Sequence, residues 1–151
     1  PQIIGIWRSR WKNHPENELK SMDIQDKILD VHFPECPIRN VIARIGDRWS
    51  ILILLTLEPA EKPMRFKELE QAIPDISQKM LTRTLRDLEA DGFVIRHAYA
   101  EVPPRVEYEL TERARTLTPL LNNLVAWASS NLSGIVKDRE RYYKKGNWDN
   151  S

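Results

Sequence analysis

The stretch ISQKMLTRTLRDLEADG, Ile76 to Gly92, has leucines at helical spacing and charges in an order that opposes a helix dipole. Lys79, Arg83 and Arg86 come first with no acid among them, and Asp87, Glu89 and Asp91 come last with no base. A helix is positive at its N-terminus, so stability alone favours the reverse order. At about 100° per residue from Leu81, Leu85 and Leu88 fall within roughly 40° of it, a narrow seam for burial. Lys79, Arg83 and Arg86 fall at about 160°, 200° and 140°, on the opposite side. Ser77, Gln78 and Thr82 lie beside this stripe and can hydrogen-bond a base edge or a phosphate. The dipole cost is some tenths of a kcal/mol per exposed charge, whereas one bidentate base contact is worth about 1–3 kcal/mol of discrimination. A role for the cationic face therefore outweighs the local preference.

Ser77 is placed to cap this helix and Gly92 to end it. Just upstream, Pro74-Asp75 breaks the chain after RFKELEQAI, a helix with Phe66, Leu69 and Ile73 on one side. Two short helices meeting at a tight turn outline a helix-turn-helix. Further upstream, RWSILILLTLE reads as a buried helix stopped at Glu58-Pro59, with Glu58 to Met64 as a connector. Before it, Pro37 suits a first helical position, and Val41, Ile42 and Ile45 form an apolar face up to Gly46.

Downstream of Gly92 the period changes from 3.6 to 2, and FVIRHAYA and VEYEL read as strands. In the second strand Val106, Tyr108 and Leu110 share one face. Pro103 and Pro104 cannot donate to a ladder and must sit in the hairpin tip, which they stiffen. Helices followed by this hairpin predict a mainly α fold with a small β-hairpin wing, a winged helix-turn-helix. Thr111 caps a further helix, which Thr118-Pro119 restarts or kinks. Its apolar stripe of Leu120, Leu121, Leu124, Trp127, Leu132, Ile135 and Val136 runs to a basic end, Lys137 to Lys145.

The expected organisation is an N-terminal extension over 1–33, a winged domain over 34–127 whose C-terminal helix continues to about 145, and a flexible tail over 146–151. In the extension, Ile24, Ile28 and Val31 suggest a short amphipathic helix, and residues before Met22 read as a leader or an appended remnant. The 151 residues include 41% hydrophobic and 30% charged residues with net charge +1, enough for a core but with no global basic field. Any nucleic-acid surface must be local. No apolar run approaches the roughly 20 residues needed to cross a bilayer, and the start lacks a signal-peptide pattern, so a cytoplasmic protein is expected. A single cysteine, Cys36, excludes an internal disulfide, and with three scattered histidines it offers neither a metal site nor a catalytic constellation. No cofactor and no enzymatic activity are expected.

The cationic stripe has two readings: a DNA-contacting surface, or an ordinary solvated face. The stiff Pro103-Pro104 loop with Arg105 at its base favours DNA, since it can carry an arginine to the backbone or minor groove.

Several segments in order resemble the HxlR family of bacterial winged-helix regulators, distant relatives of the MarR type. They are CP at Cys36-Pro37, IGDRW at Ile45 to Trp49, RFKEL at Arg65 to Leu69, ISQKMLTRTLRDLEADGFVIR at Ile76 to Arg96, and VPPRVEYELT at Val102 to Thr111. The resemblance implies a homodimer on inverted-repeat operators of double-stranded DNA. It places the helix from Ser77 in the major groove and the Pro-Pro wing alongside. It also assigns the dimer interface to the N- and C-terminal helices, consistent with the stripe from Leu120 to Val136. Two positions depart from the family pattern. Asp47-Arg48 stands where Gly-Lys is usual, keeping in Arg48 a cation for phosphate but adding an acid beside it. The usual glycine after the last strand is replaced around Ala114. Some members of the family sense oxidants or electrophiles through a cysteine at the position of Cys36, and a helix N-terminus with Arg39 nearby favours thiolate. The bland alternative for Cys36 is a small buried interface residue. For the whole chain, the alternative is a winged-helix module that binds protein.

Overall fold

The structure, a computed structural model, describes residues 37–146. The expected helix around Ile24, Ile28 and Val31, the placement of Cys36, and all but the first residue of the expected tail lie outside the described residues. Two compact units divide the chain, one ending at Ile45 and the other beginning at Gly46. In the first, α1 (Pro37–Ile45) starts at the expected proline and leaves Val41 and Ile42 about half exposed.

The second unit is built on α2 (Arg48–Leu57), whose Ile53, Leu54 and Leu57 are buried. The apolar run is therefore a core helix. After it come β1 (Met64–Arg65), α3 (Phe66–Ala72) and α4 (Gln78–Ala90). β2 (Val94–Tyr99), β3 (Arg105–Leu110) and α5 (Glu112–Lys144) complete the unit. The three strands form one antiparallel sheet in the order β1-β3-β2. Its hairpin register runs from Val94 opposite Leu110 to Tyr99 opposite Arg105. β1 takes Met64 from the end of an expected connector and Arg65 from the start of an expected helix. Its two residues pair Met64 with Tyr108 and Arg65 with Glu107, a long-range match with no local period to announce it.

The helix ends follow their capping chemistry. Ser77 Oγ accepts from Met80 N at 3.1 Å, and Thr111 Oγ1 accepts from Ala114 N at 3.2 Å. Gly92 takes φ +74°, while Phe93 N donates to Leu88 O and Gly92 N to Glu89 O, the paired bonds of a Schellman end. Thr111 Oγ1 also donates to Gly92 O at 2.7 Å, tying the start of α5 to the end of α4. Ala114 is fully buried in the first turn of α5.

Of the two expectations at Thr118-Pro119, a restart or a kink, the restart does not occur: α5 is one helix through Pro119. Proline removes the bond that residue 119 would donate to the Arg115 carbonyl. Thr118 Oγ1 reaches that carbonyl instead, at 3.5 Å. Burial of Ala114, Thr118 and Leu121 holds both sides of the proline against the domain. Beyond Leu121 every side chain of α5 is exposed.

Candidate nucleic-acid interface

α3 and α4 are separated by residues 73–77, with Asp75 at φ 65°, the left-handed conformation that a short polar side chain tolerates best after glycine. This residue makes the sharp reversal of the helix-turn-helix. Ile73 and Ile76, flanking the turn, are buried and pin it to the core.

On α4, Leu81, Leu85 and Leu88 are buried as the periodicity demanded. Each such side chain contributes about 1.5–3 kcal/mol through removal from water, which fixes the rotation of the helix about its axis. That rotation decides what faces out. Lys79, Arg83 and Arg86 are exposed, and Ser77 and Gln78 are exposed at the N-terminal end. Thr82 is half-buried at the margin of the cationic face. Among the described residues, none of the three cations enters an ion pair. A solvated face often dissipates its charge in i,i+4 pairs with acids. Here the acids are collected at the far end of the helix, and the outward stripe keeps its full positive charge.

Asp47 has a role that the sequence reading missed. It is the N-cap of α2: Oδ1 accepts from Trp49 N at 2.9 Å and Ser50 N at 3.2 Å, and Oδ2 accepts from the buried Ser50 hydroxyl. An aspartate immediately before RWSIL is itself a capping signal. With its carboxylate turned into the helix start, the neighbouring Arg48 remains exposed, its guanidinium 4.1 Å from the centre of the Trp49 ring.

The wing is the loop from Ala100 to Pro104 between β2 and β3. Val102, Pro103 and Pro104 are all exposed at its tip. Arg105 does not project beside them. Its Nη2 and Nε donate to Glu101 at 2.8 and 3.2 Å, and its Nη1 donates to Glu107 at 2.8 Å. The guanidinium also lies 3.9 Å from the Tyr99 ring centre. Its hydrogen bonds to Glu101, and the charges of Glu101 and Glu107, push its pKa further above its ordinary value. An open cleft of about 1110 Å³ separates the wing from β1 and α3. Lys62 and Lys67 line it without ion pairs among the described residues, adding cations that the sequence reading had not singled out.

On α5, Leu120, Leu124, Trp127, Leu132 and Ile135 are exposed, whereas Leu121 is turned into the domain's own core. Leu120, Leu124, Trp127 and Ile135 fall within about 80° of one another around the helix, one continuous apolar strip.

The HxlR-like helix-turn-helix model matches residues 44–135, most of the chain. The chain belongs to the HxlR-like helix-turn-helix family. A helix-turn-helix transcriptional regulator of Methanothermobacter thermautotrophicus is 46% identical over 92 residues, 61% of this chain and 69% of that protein. Among solved structures, the transcriptional regulator YtfH of Salmonella typhimurium aligns with a TM-score of 0.66 at 35% identity, covering 73% of this chain and 96% of its own. The redox regulator HypR in its reduced form aligns at 0.61 with 39% identity, covering 67% and 98%. As an HxlR-like protein the chain is a member of a family of transcriptional regulators with a winged helix-turn-helix fold. Among its described residues, no helix is long and apolar enough to cross a membrane.

Proposed function

We propose that this HxlR-like protein is a sequence-specific, double-stranded DNA-binding transcription regulator that acts as a homodimer on inverted-repeat operators. One observation carries the reading: α4 is anchored by three buried leucines and presents Lys79, Arg83 and Arg86 outward, without ion pairs among the described residues. The N-terminal part of the second helix of a helix-turn-helix enters the major groove. Ser77, Gln78, Lys79, Thr82, Arg83 and Arg86 then face base edges and phosphates, Arg48 meets the backbone, and the Pro103-Pro104 wing lies against the flanking groove. The Ser77 hydroxyl caps α4 through its oxygen and keeps its proton for a phosphate. Lys62 and Lys67 extend the backbone contact.

The exposed strip of α5 supports the dimer. A helix carrying Leu120, Leu124, Trp127, Leu132 and Ile135 in water, past the last residue packed on its own domain, is the kind of apolar surface that marks an association site. A two-fold pair of reading helices requires two half-sites about 10–10.5 bp apart or a multiple of it.

The regulator also responds to oxidants or electrophiles through Cys36. Support comes from its place directly before α1, where a helix N-terminus favours thiolate, and from the likeness to a protein named as a redox regulator. With one cysteine per chain, the chemistry is an intersubunit disulfide or a small-molecule adduct.

Selection of duplexes from a randomised pool by the full-length protein tests the DNA reading. Enrichment of an inverted repeat is expected, and Arg83→Ala should lose about 1–3 kcal/mol of discrimination against mismatched duplexes. Recovery of no preferred sequence, or undiminished discrimination by that variant, removes the reading. Light scattering should give twice the 17.7 kDa chain mass, falling to the single chain in Leu124→Asp. Release of the selected duplex by hydrogen peroxide or benzoquinone should disappear in Cys36→Ser, and a variant that still releases it refutes sensing.

A further inference from the structure

Arg105 stands where the wing loop enters β3, and its surroundings differ from those of the α4 cations. It stands at the last rung of the β2–β3 ladder, opposite Tyr99, whose ring lies 3.9 Å beneath its guanidinium. Glu101 reaches it from the loop through two hydrogen bonds, and Glu107 reaches it from the same face of β3. Three of its five N–H donors are thus spent on carboxylates. Its side chain is 27% exposed, against 60% for Arg65, the other cation near Glu107 at 3.9 Å. With Arg65 also in range of Glu107, two guanidinia face two carboxylates, and the cluster has no excess positive charge to offer a phosphate. Opening it toward DNA breaks charge-assisted bonds that are roughly twice as strong as neutral ones.

We propose that Arg105 is a positioning residue for DNA binding: it rivets the wing loop to the hairpin and sets the angle at which Pro103-Pro104 leave the sheet, rather than contacting DNA itself. The geometry requires a fork. A guanidinium can bind Glu101 through two nitrogens while lying flat on Tyr99 and reaching Glu107 with a third; a lysine ammonium is a point donor and cannot hold all three. The wing therefore depends on the shape of Arg105 as well as its charge. The proposal rests on the DNA-binding reading above, and it distributes the labour of that surface: α4 supplies cations to the groove, and the wing supplies a rigid apolar edge.

The test compares Arg105→Lys and Arg105→Gln with the wild type on the duplex that the wild type selects, or on a 30-bp mixed-sequence duplex at low salt, with affinity measured across a salt series. Both variants should bind about tenfold more weakly, with a salt slope equal to that of the wild type. A phosphate contact predicts the opposite pattern: Arg105→Lys retains affinity and slope, whereas Arg105→Gln loses about 0.9 of slope. That pattern overturns the proposal. Amide hydrogen exchange of the free protein supplies a readout independent of DNA. Residues 100–102 should exchange faster in both variants, while the core of α2 exchanges at the wild-type rate. Unchanged exchange in the wing overturns the proposal even where DNA binding is intact. Failure of the wild type to bind any duplex, with wing exchange altered as expected, instead strikes at the DNA-binding reading and takes the wing's role in binding with it.

Discussion

Replacing Asp47 by alanine should destabilise the domain far more than an exposed position in front of a helix suggests. The carboxylate satisfies two N–H groups at the start of α2 and receives the hydroxyl proton of Ser50, which is only 2% exposed. Loss of an N-cap costs typically about 1 kcal/mol. Stranding a buried hydroxyl adds about 1 kcal/mol more. The helix at stake is the one whose Ile53 and Leu54 are wholly buried, so fraying propagates into the core instead of into solvent. The expected loss is about 2 kcal/mol, or roughly 4–8 °C in Tm for a chain of this size. Urea unfolding at fixed protomer concentration measures it, with an unchanged m-value showing that the native state is otherwise intact. Asp47→Asn keeps the capping geometry and should lose about 0.5 kcal/mol. An Asp47→Ala variant within 0.5 kcal/mol of wild type refutes the capping account. On the selected duplex the folded alanine variant should bind no more weakly than wild type, since Asp47 serves the helix and the contact belongs to Arg48.

Two further predictions follow from backbone conformation. At Asp75, with φ 65°, substitution by glycine should be neutral or stabilising by a few tenths of a kcal/mol, whereas valine should cost about 1–2 kcal/mol and weaken DNA binding by tilting α4; equal stability of the two variants by urea unfolding contradicts this. At Gly92, with φ +74°, alanine should cost about 1–2 kcal/mol. Its new methyl would meet Arg113 Nη1 at 2.6 Å, so that flexible arm must leave the Asp91 carbonyl it holds at 2.7 Å. Adding Arg113→Ala to that variant should cost nothing more by thermal unfolding, because the displaced arm has already given up its bond.

Elements governed by nearby residues were legible in the chain. Leucines three and four apart on one face set the buried seam of α4, and Ser77, Gly92 and Thr111 bound the helices through bonds to residues within a few positions. Alternation in VEYEL and the proline pair located the hairpin. The Asp47 cap is equally local, an aspartate bonded to N–H groups two and three residues ahead.

Three features depend on how the chain folds back on itself, two of them on residues far apart in sequence and one on near neighbours that only the hairpin brings together. The two-residue β1 exists because β3 offers it an edge at Tyr108 and Glu107. α5 continues through Pro119 because burial of Ala114, Thr118 and Leu121 against the domain outweighs one missing hydrogen bond, and the same packing takes Leu121 away from the outward strip. Arg105 reads in sequence as a free cation beside a rigid loop, and tertiary structure binds it between Glu101, Glu107 and Tyr99. Sequence by itself determined the caps, the buried seam and the cationic face of α4, because periodicity and capping are short-range. Tertiary structure alone decided which charges are left unpaired, because pairing depends on what the folded chain brings within a few ångströms.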